Sequence, residues 1–187
     1  ISTTATNKYA INNSSNAVLT SVSITSARAI NNTSTGKLKM TSSIISATGY
    51  GVYNQGEMEL INNEITGNTY GIYQSTTLNS TLTNNILKTG TTSSYALYNT
   101  KTGTSTLTEG SINGDLYQNT GTLIVSNVEM NDYVNLTTNS KATFNDSSIN
   151  VINPTASTSN VILNAGTLTA KNLEISITKN NNNSNTV

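Results

Sequence analysis

Two apolar positions set five residues apart recur along the chain, as Leu19/Ile24, Met40/Ile45, Leu60/Ile65, Leu82/Leu87, Leu107/Ile112, Val125/Met130, Phe144/Ile149 and Leu168/Leu173. Successive pairs begin 21, 20, 22, 25, 18, 19 and 24 residues apart. A constant internal spacing with joints of variable length marks a solenoid, in which each coil buries its apolar face against the next and insertions fall in loops. Around the pairs the apolar positions alternate, Leu38 with Met40, Met58 with Leu60, Leu123 with Val125 and Ala142 with Phe144. Period two is strand spacing, not helix spacing. A further apolar cluster precedes most pairs by 8 to 10 residues: YAI at 9–11, RAI at 28–30, YGVY at 50–53, YGIY at 70–73 and YALY at 95–98. Each coil thus divides into three short strands. The pattern predicts an all-β chain, a parallel β-helix of about eight coils of about 21 residues, filling residues 1–178 as one domain. The Asn-rich stretch 179–187 reads as a polar linker or frayed end.

Charge gives an independent check on phase. GKLKM at 36–40 and GEMEL at 56–60 occupy the same position in consecutive coils, so Lys37 is expected opposite Glu57 and Lys39 opposite Glu59. Opposite charges on adjacent in-phase strands help to select register, although exposed pairs contribute only about 0–1 kcal/mol each. Two residues beyond the first member of each pair runs a mostly polar ladder of Ser21, Ser42, Asn62, Asn84, Glu109, Asn127, Asp146 and Ala170. Its polar members are expected to turn a corner, because Asn tolerates left-handed backbone and stacked amides bond one another along an axis.

The segment NNEITGNTYGIY at 62–73 resembles the consensus of the parallel β-helix repeat family, the pectate-lyase-like group, in which Asn-rich corners precede a short Gly-Ile-aromatic strand. NNILKTG at 84–90 and YGVYNQG at 50–56 are partial copies. The resemblance implies a right-handed coil. The family includes polysaccharide lyases and hydrolases, phage tailspikes, autotransporter passengers and adhesive domains of bacterial surface proteins, so it specifies fold far more than function.

Composition then narrows the chemistry. Nine basic and nine acidic residues are dispersed along 187 positions, which leaves no basic stripe for nucleic acid. No apolar run approaches the length needed to span a bilayer, and no signal peptide opens the chain at Ile1, so a mature or excised segment of a longer array is expected. Without His or Cys neither a Ser-His-Asp or Cys-His nucleophile nor a zinc site of the usual type can be assembled. Catalysis would have to come from carboxylates. Asp115 and Asp132 precede successive strands and are expected about one coil apart, near 5 Å, a spacing suited to a shared cation such as calcium or to a retaining carboxylate pair. The plainer reading is two turn aspartates. Glu109 and Asp146 share the corner ladder two coils apart, where a corner role outweighs a catalytic one.

Tyrosine dominates the aromatics, nine against a single Phe. Tyr53, Tyr73 and Tyr98 each follow an inward Val52, Ile72 or Leu97 and are expected to form an exposed ladder, either to bind a glycan or to stack in support of the sheet. Tyr50, Tyr70 and Tyr95 are expected on the opposite face of the same strands, as core or corner. Thr81/Thr83, Thr106/Thr108 and Thr167/Thr169 form outward Thr-x-Thr pairs, the arrangement of ice-binding solenoids, but Ile124, Ser126, Lys39 and Glu59 interrupt them. Asn-x-Ser/Thr triplets at Asn13, Asn32, Asn79 and Asn135 carry no weight in so Asn-rich a chain.

These features favour a non-catalytic segment of an extracellular bacterial surface protein, an adhesin or rigid stalk without a cofactor. Its expected partners are a glycan, a host or matrix surface, or further coils of its own kind end to end. The alternatives are a polysaccharide lyase or glycosidase using Asp115 and Asp132 and, more remotely, an ice-binding solenoid.

Overall fold

The computed structural model describes residues 1–3, 5–91, 94–152 and 160–178; the stretch 179–187, read above as a linker, lies outside the described residues. The chain winds into a parallel β-solenoid of about seven turns, with no helix among the described residues. One complete coil comprises Lys37–Thr41, Ile44–Ala47 and Tyr50–Asn54, and the next comprises Glu57–Ile61, Glu64–Gly67 and Tyr70–Gln74. Every strand pairs in parallel with its counterparts one coil away. Three faces result, and the apolar pairs supply the inner side of two of them. Met40 lies opposite Leu60, and Leu60 opposite Leu82, in one row; Ile45, Ile65 and Leu87 form the other. All six are sealed from solvent. The expected ion pairs form in the predicted register, Lys37 to Glu57 at 3.1 Å and Lys39 to Glu59 at 3.0 Å.

The corner between the first two faces explains the polar ladder. Ser21, Ser42, Asn62, Asn84, Glu109, Asn127, Asp146 and Asn172 all take left-handed backbone, with φ between 48° and 60°. That turn keeps the main chain bonding along the axis: Ser21 N–H donates to the Thr41 carbonyl, Ser42 to Ile61 and Asn62 to Thr83, each at 3.0 Å. The residue after the corner turns inward. There Asn63 donates from Nδ2 to the Met40 carbonyl at 3.0 Å and Asn85 to the Leu60 carbonyl at 2.9 Å, so buried amides satisfy carbonyls that the bend would otherwise strand.

The last coil departs from expectation. Its register sets Leu168 opposite Ala142 and Ala170 opposite Phe144, with Ile175 opposite Ile149. Ala170 and Ile175 hold the register positions of Phe144 and Ile149 but are exposed in this end coil, while Leu168 and Leu173 pack against the core as expected; the corner falls at Asn172, not Ala170.

Candidate functional site: a two-row tyrosine face

The third face is built from Tyr9–Asn13, Arg28–Asn32, Tyr50–Asn54, Tyr70–Gln74 and Tyr95–Asn99, and continues into the start of Asp115–Ser126. Its strands do not alternate simply. In Tyr50–Asn54 the second, third and fifth residues are buried, while the first and fourth, both Tyr, are half-exposed. The second position sits on the inside of a bend where space runs out. A Cβ on Gly51 would lie 2.5 Å from the Gly71 carbonyl oxygen and one on Gly71 2.6 Å from that of Ala96. Two consecutive residues therefore point inward, and the tyrosines on either side of them emerge on the same outer face.

Tyr50, Tyr70 and Tyr95 are thus not on the opposite face from Tyr53, Tyr73 and Tyr98, as alternation predicted; they form a second row beside them. Along the first row Tyr50 stacks on Tyr70 at 5.2 Å and Tyr70 on Tyr95 at 6.0 Å between ring centroids. Along the second, Tyr53, Tyr73, Tyr98 and Tyr117 follow one another at 5.3, 5.2 and 4.6 Å. Contacts such as Tyr70 to Tyr73 at 5.0 Å and Tyr95 to Tyr98 at 4.8 Å join the rows. With Tyr9 stacked on Tyr53 at 6.4 Å, eight of the nine tyrosines form one continuous surface. Near-parallel pairs such as Tyr98 and Tyr117, at 10°, turn their ring faces toward each other along the axis. Such pairs present ring edges and phenolic hydroxyls to a ligand, while Tyr53 and Tyr73 meet edge to face at 62°. Burial, followed by the neighbouring phenols Tyr117, Tyr70, Tyr73 and Tyr95, pushes the Tyr98 hydroxyl up to about 12, and burial raises Tyr70 and Tyr95 as well. These hydroxyls stay protonated and able to donate.

The two ends of the first row carry opposite charge. At one end Arg28 occupies the row position between Tyr9 and Tyr50, its guanidinium 5.8 and 5.5 Å from their ring centroids. At the other, Asp115 takes the place of a tyrosine in register with Tyr95. Asp132 lies one coil further on, where Leu116 N–H bonds the Tyr133 carbonyl at 2.9 Å. The structure does bring these two carboxyls together, close enough that the charge of one acts on the other. Burial first, and the charge of Asp132 second, push Asp115 up to about 6. Asp132 also accepts from the Tyr133 N–H at 3.1 Å, which offsets part of its own upward shift from burial. Among the described residues no cluster of three or more His, Cys, Asp or Glu side chains is arranged to hold a metal ion. No family model, curated protein or solved structure matches the chain.

The other candidates resolve into structural roles. Glu109 and Asp146 are both left-handed corner residues, and Asp146 accepts from Asn172 Nδ2 at 2.7 Å. Thr81 and Thr106 are in register, but Ile124 follows them in the same row and Glu59 precedes them. A buried amide ladder went unread in the sequence. Asn13 donates to Asn32 and Asn32 to Asn54, each at 2.7 Å, Asn54 donates to Gln74 at 3.0 Å, and further along Asn99 donates to Gln118 at 2.6 Å. The Ser105 hydroxyl bridges its break, accepting from Gln74 at 2.7 Å and from Asn99 at 3.2 Å. The available signal was the recurrence of Asn or Gln two residues after the inward Ile, Val or Leu of each tyrosine-face strand.

Proposed function

We propose that this chain is a non-catalytic β-helical segment of an extracellular bacterial surface protein, and that its tyrosine face is an adhesive surface for glycans. The observation that carries the reading is the continuous double row of tyrosines. Coils rise about 4.8 Å apart, comparable to the length of one pyranose unit, so a sugar chain lying along the axis meets the same phenolic hydroxyls once per residue. Tyrosine suits such recognition because it combines contact area with a hydrogen-bonding tip at low entropic cost. The same stacking steadies the sheet, and a rigid comb of hydroxyls needs that support.

The alternative, a polysaccharide lyase or glycosidase, would act through Asp115 and Asp132. Retaining glycosidases hold their carboxyls about 5–5.5 Å apart with the scissile bond between them. The tyrosine surface runs over several coils and this pair stands only at its end, which favours binding over cleavage. The test is a screen of the folded chain on a broad glycan and extracellular-matrix array, run beside the Tyr53→Phe/Tyr73→Phe/Tyr98→Phe variant. Phenylalanine keeps the stack and removes the hydroxyls. Saturable hits that weaken at least tenfold in the variant are expected; hits that the variant keeps at full strength would remove the tyrosine comb from the account.

A further inference from the structure

The charge at the two ends of the tyrosine face narrows the kind of glycan it fits. Arg28 is held over the rings of Tyr9 and Tyr50, and among the described residues no carboxylate lies within ion-pair distance of it. A stacked guanidinium is held in place by the rings while its N–H groups remain free to form charge-assisted bonds to an oxyanion. Exposed Lys8, next to Tyr9, adds to the positive charge at this end. Four coils along the same row, about 19 Å away at about 4.8 Å per coil, stands Asp115, with Asp132 one coil further on. An anion placed there would meet the charge of Asp132 instead of a cation.

We infer that the tyrosine face is a directional site for an oligosaccharide carrying a single anionic unit at one end, with that anion on Arg28 and uncharged, hydroxyl-bearing units running over the tyrosines toward Asp115 and Asp132. The inference rests on the glycan-binding reading and adds polarity and charge to it. A uniformly polyanionic chain satisfies Arg28 but sets a second anion against the aspartates. A neutral chain leaves Arg28 unused. The shared chemistry is an oxyanion on a terminal sugar, and both carboxylate and sulfate meet it.

The experiment measures affinity by calorimetry for four probes: a tetrasaccharide ending in a sialic acid, its methyl ester, the same neutral core ending in a sulfated sugar, and tetragalacturonate. The acid and its ester differ only in charge. The acid is expected to bind the wild-type chain about tenfold more tightly than the ester, as one charge-assisted contact implies. Arg28→Gln is expected to bring the acid down to the level of the ester, and Arg28→Lys, which keeps charge without the planar stack, to fall between, with far-UV circular dichroism checking the fold of each. Asp115→Asn/Asp132→Asn is expected to strengthen tetragalacturonate and leave the preference for acid over ester in place. The sulfated probe distinguishes a general oxyanion seat from a carboxylate seat, with binding at least equal to the ester expected in either case. Equal binding of acid and ester by the wild type overturns the assignment of Arg28 while leaving glycan binding standing. Tetragalacturonate binding as tightly as the singly charged acid overturns the directional site. Failure of all four probes to bind overturns both this inference and the glycan reading beneath it.

Discussion

Single residues set the electrostatics of this molecule, and the Asp115–Asp132 contact has the clearest consequence. The folded chain holds a proton on Asp115 up to about pH 6, against an ordinary value of 3.8. Between those values the folded state binds more protons than the unfolded state, so this site's contribution to stability is full below about pH 4 and is lost as pH rises through about 6. Asp115→Asn keeps a hydrogen-bond donor for Asp132 and removes the titration. At this half-exposed site, solvent screening leaves a gain of about 1 kcal/mol at pH 7. Urea unfolding at pH 4 and pH 7 should show the variant ahead of wild type at pH 7 and level with it at pH 4; a variant less stable at pH 7 would contradict the assignment. The sequence placed these two aspartates one coil apart from phase alone. It could not reveal that both carboxyls are pushed upward, because that depends on how far burial strips water from them.

At the scale of the element, two kinds of position govern the coil. The first is the left-handed corner. Glu109 sits there at φ 60° and exposed, a backbone region that costs most residues about 1–2 kcal/mol and Asn or Gly less. Glu109→Asn is therefore expected to raise stability by about 0.5–1 kcal/mol, and Asn62→Val, which puts a β-branched residue at φ 57°, to lower it by about 1–3 kcal/mol. Thermal melts of the two variants check both signs. The second is the buried amide. Asn32 Nδ2 donates to Asn54 Oδ1 at 2.7 Å and to the Glu57 carbonyl at 2.8 Å, while its Oδ1 accepts from Asn13. Asn32→Ala strands these partners away from water and should cost about 2–4 kcal/mol in chemical denaturation. The corner ladder was legible because Asn, Ser and Asp advertise turns. The amide ladder was hidden because its members look like the other asparagines of an Asn-rich chain until the inward direction of the strand is known.

Across the whole molecule, phase was nearly sufficient. The eight apolar pairs predicted the stacking order, and the opposed charges of Lys37, Lys39, Glu57 and Glu59 predicted its register. Phase misled in two places. Period-two alternation assumes a straight strand, and the bend at Gly51 and Gly71 brings Tyr50 and Tyr70 round to the outer face. A fixed count from Leu168 puts the last corner at Ala170, whereas the left-handed residue is Asn172, two positions further on. The first exception matters most, since it converts a single ladder of three tyrosines into a two-row surface of eight with a cation at one end and paired carboxyls at the other.

That surface is the centre of the account, and the chain supplies its own reporter for it. There is no Trp, and eight of the nine tyrosines lie on this face. The decisive measurement is tyrosine emission during titration of the folded chain with oligosaccharides that score on the array, repeated with the Tyr53→Phe/Tyr73→Phe/Tyr98→Phe variant. A saturable change in emission, with an apparent affinity at least tenfold weaker in the variant, is the predicted result. Binding seen by calorimetry with no change in emission would place the ligand elsewhere on the coil and contradict the tyrosine face as its site.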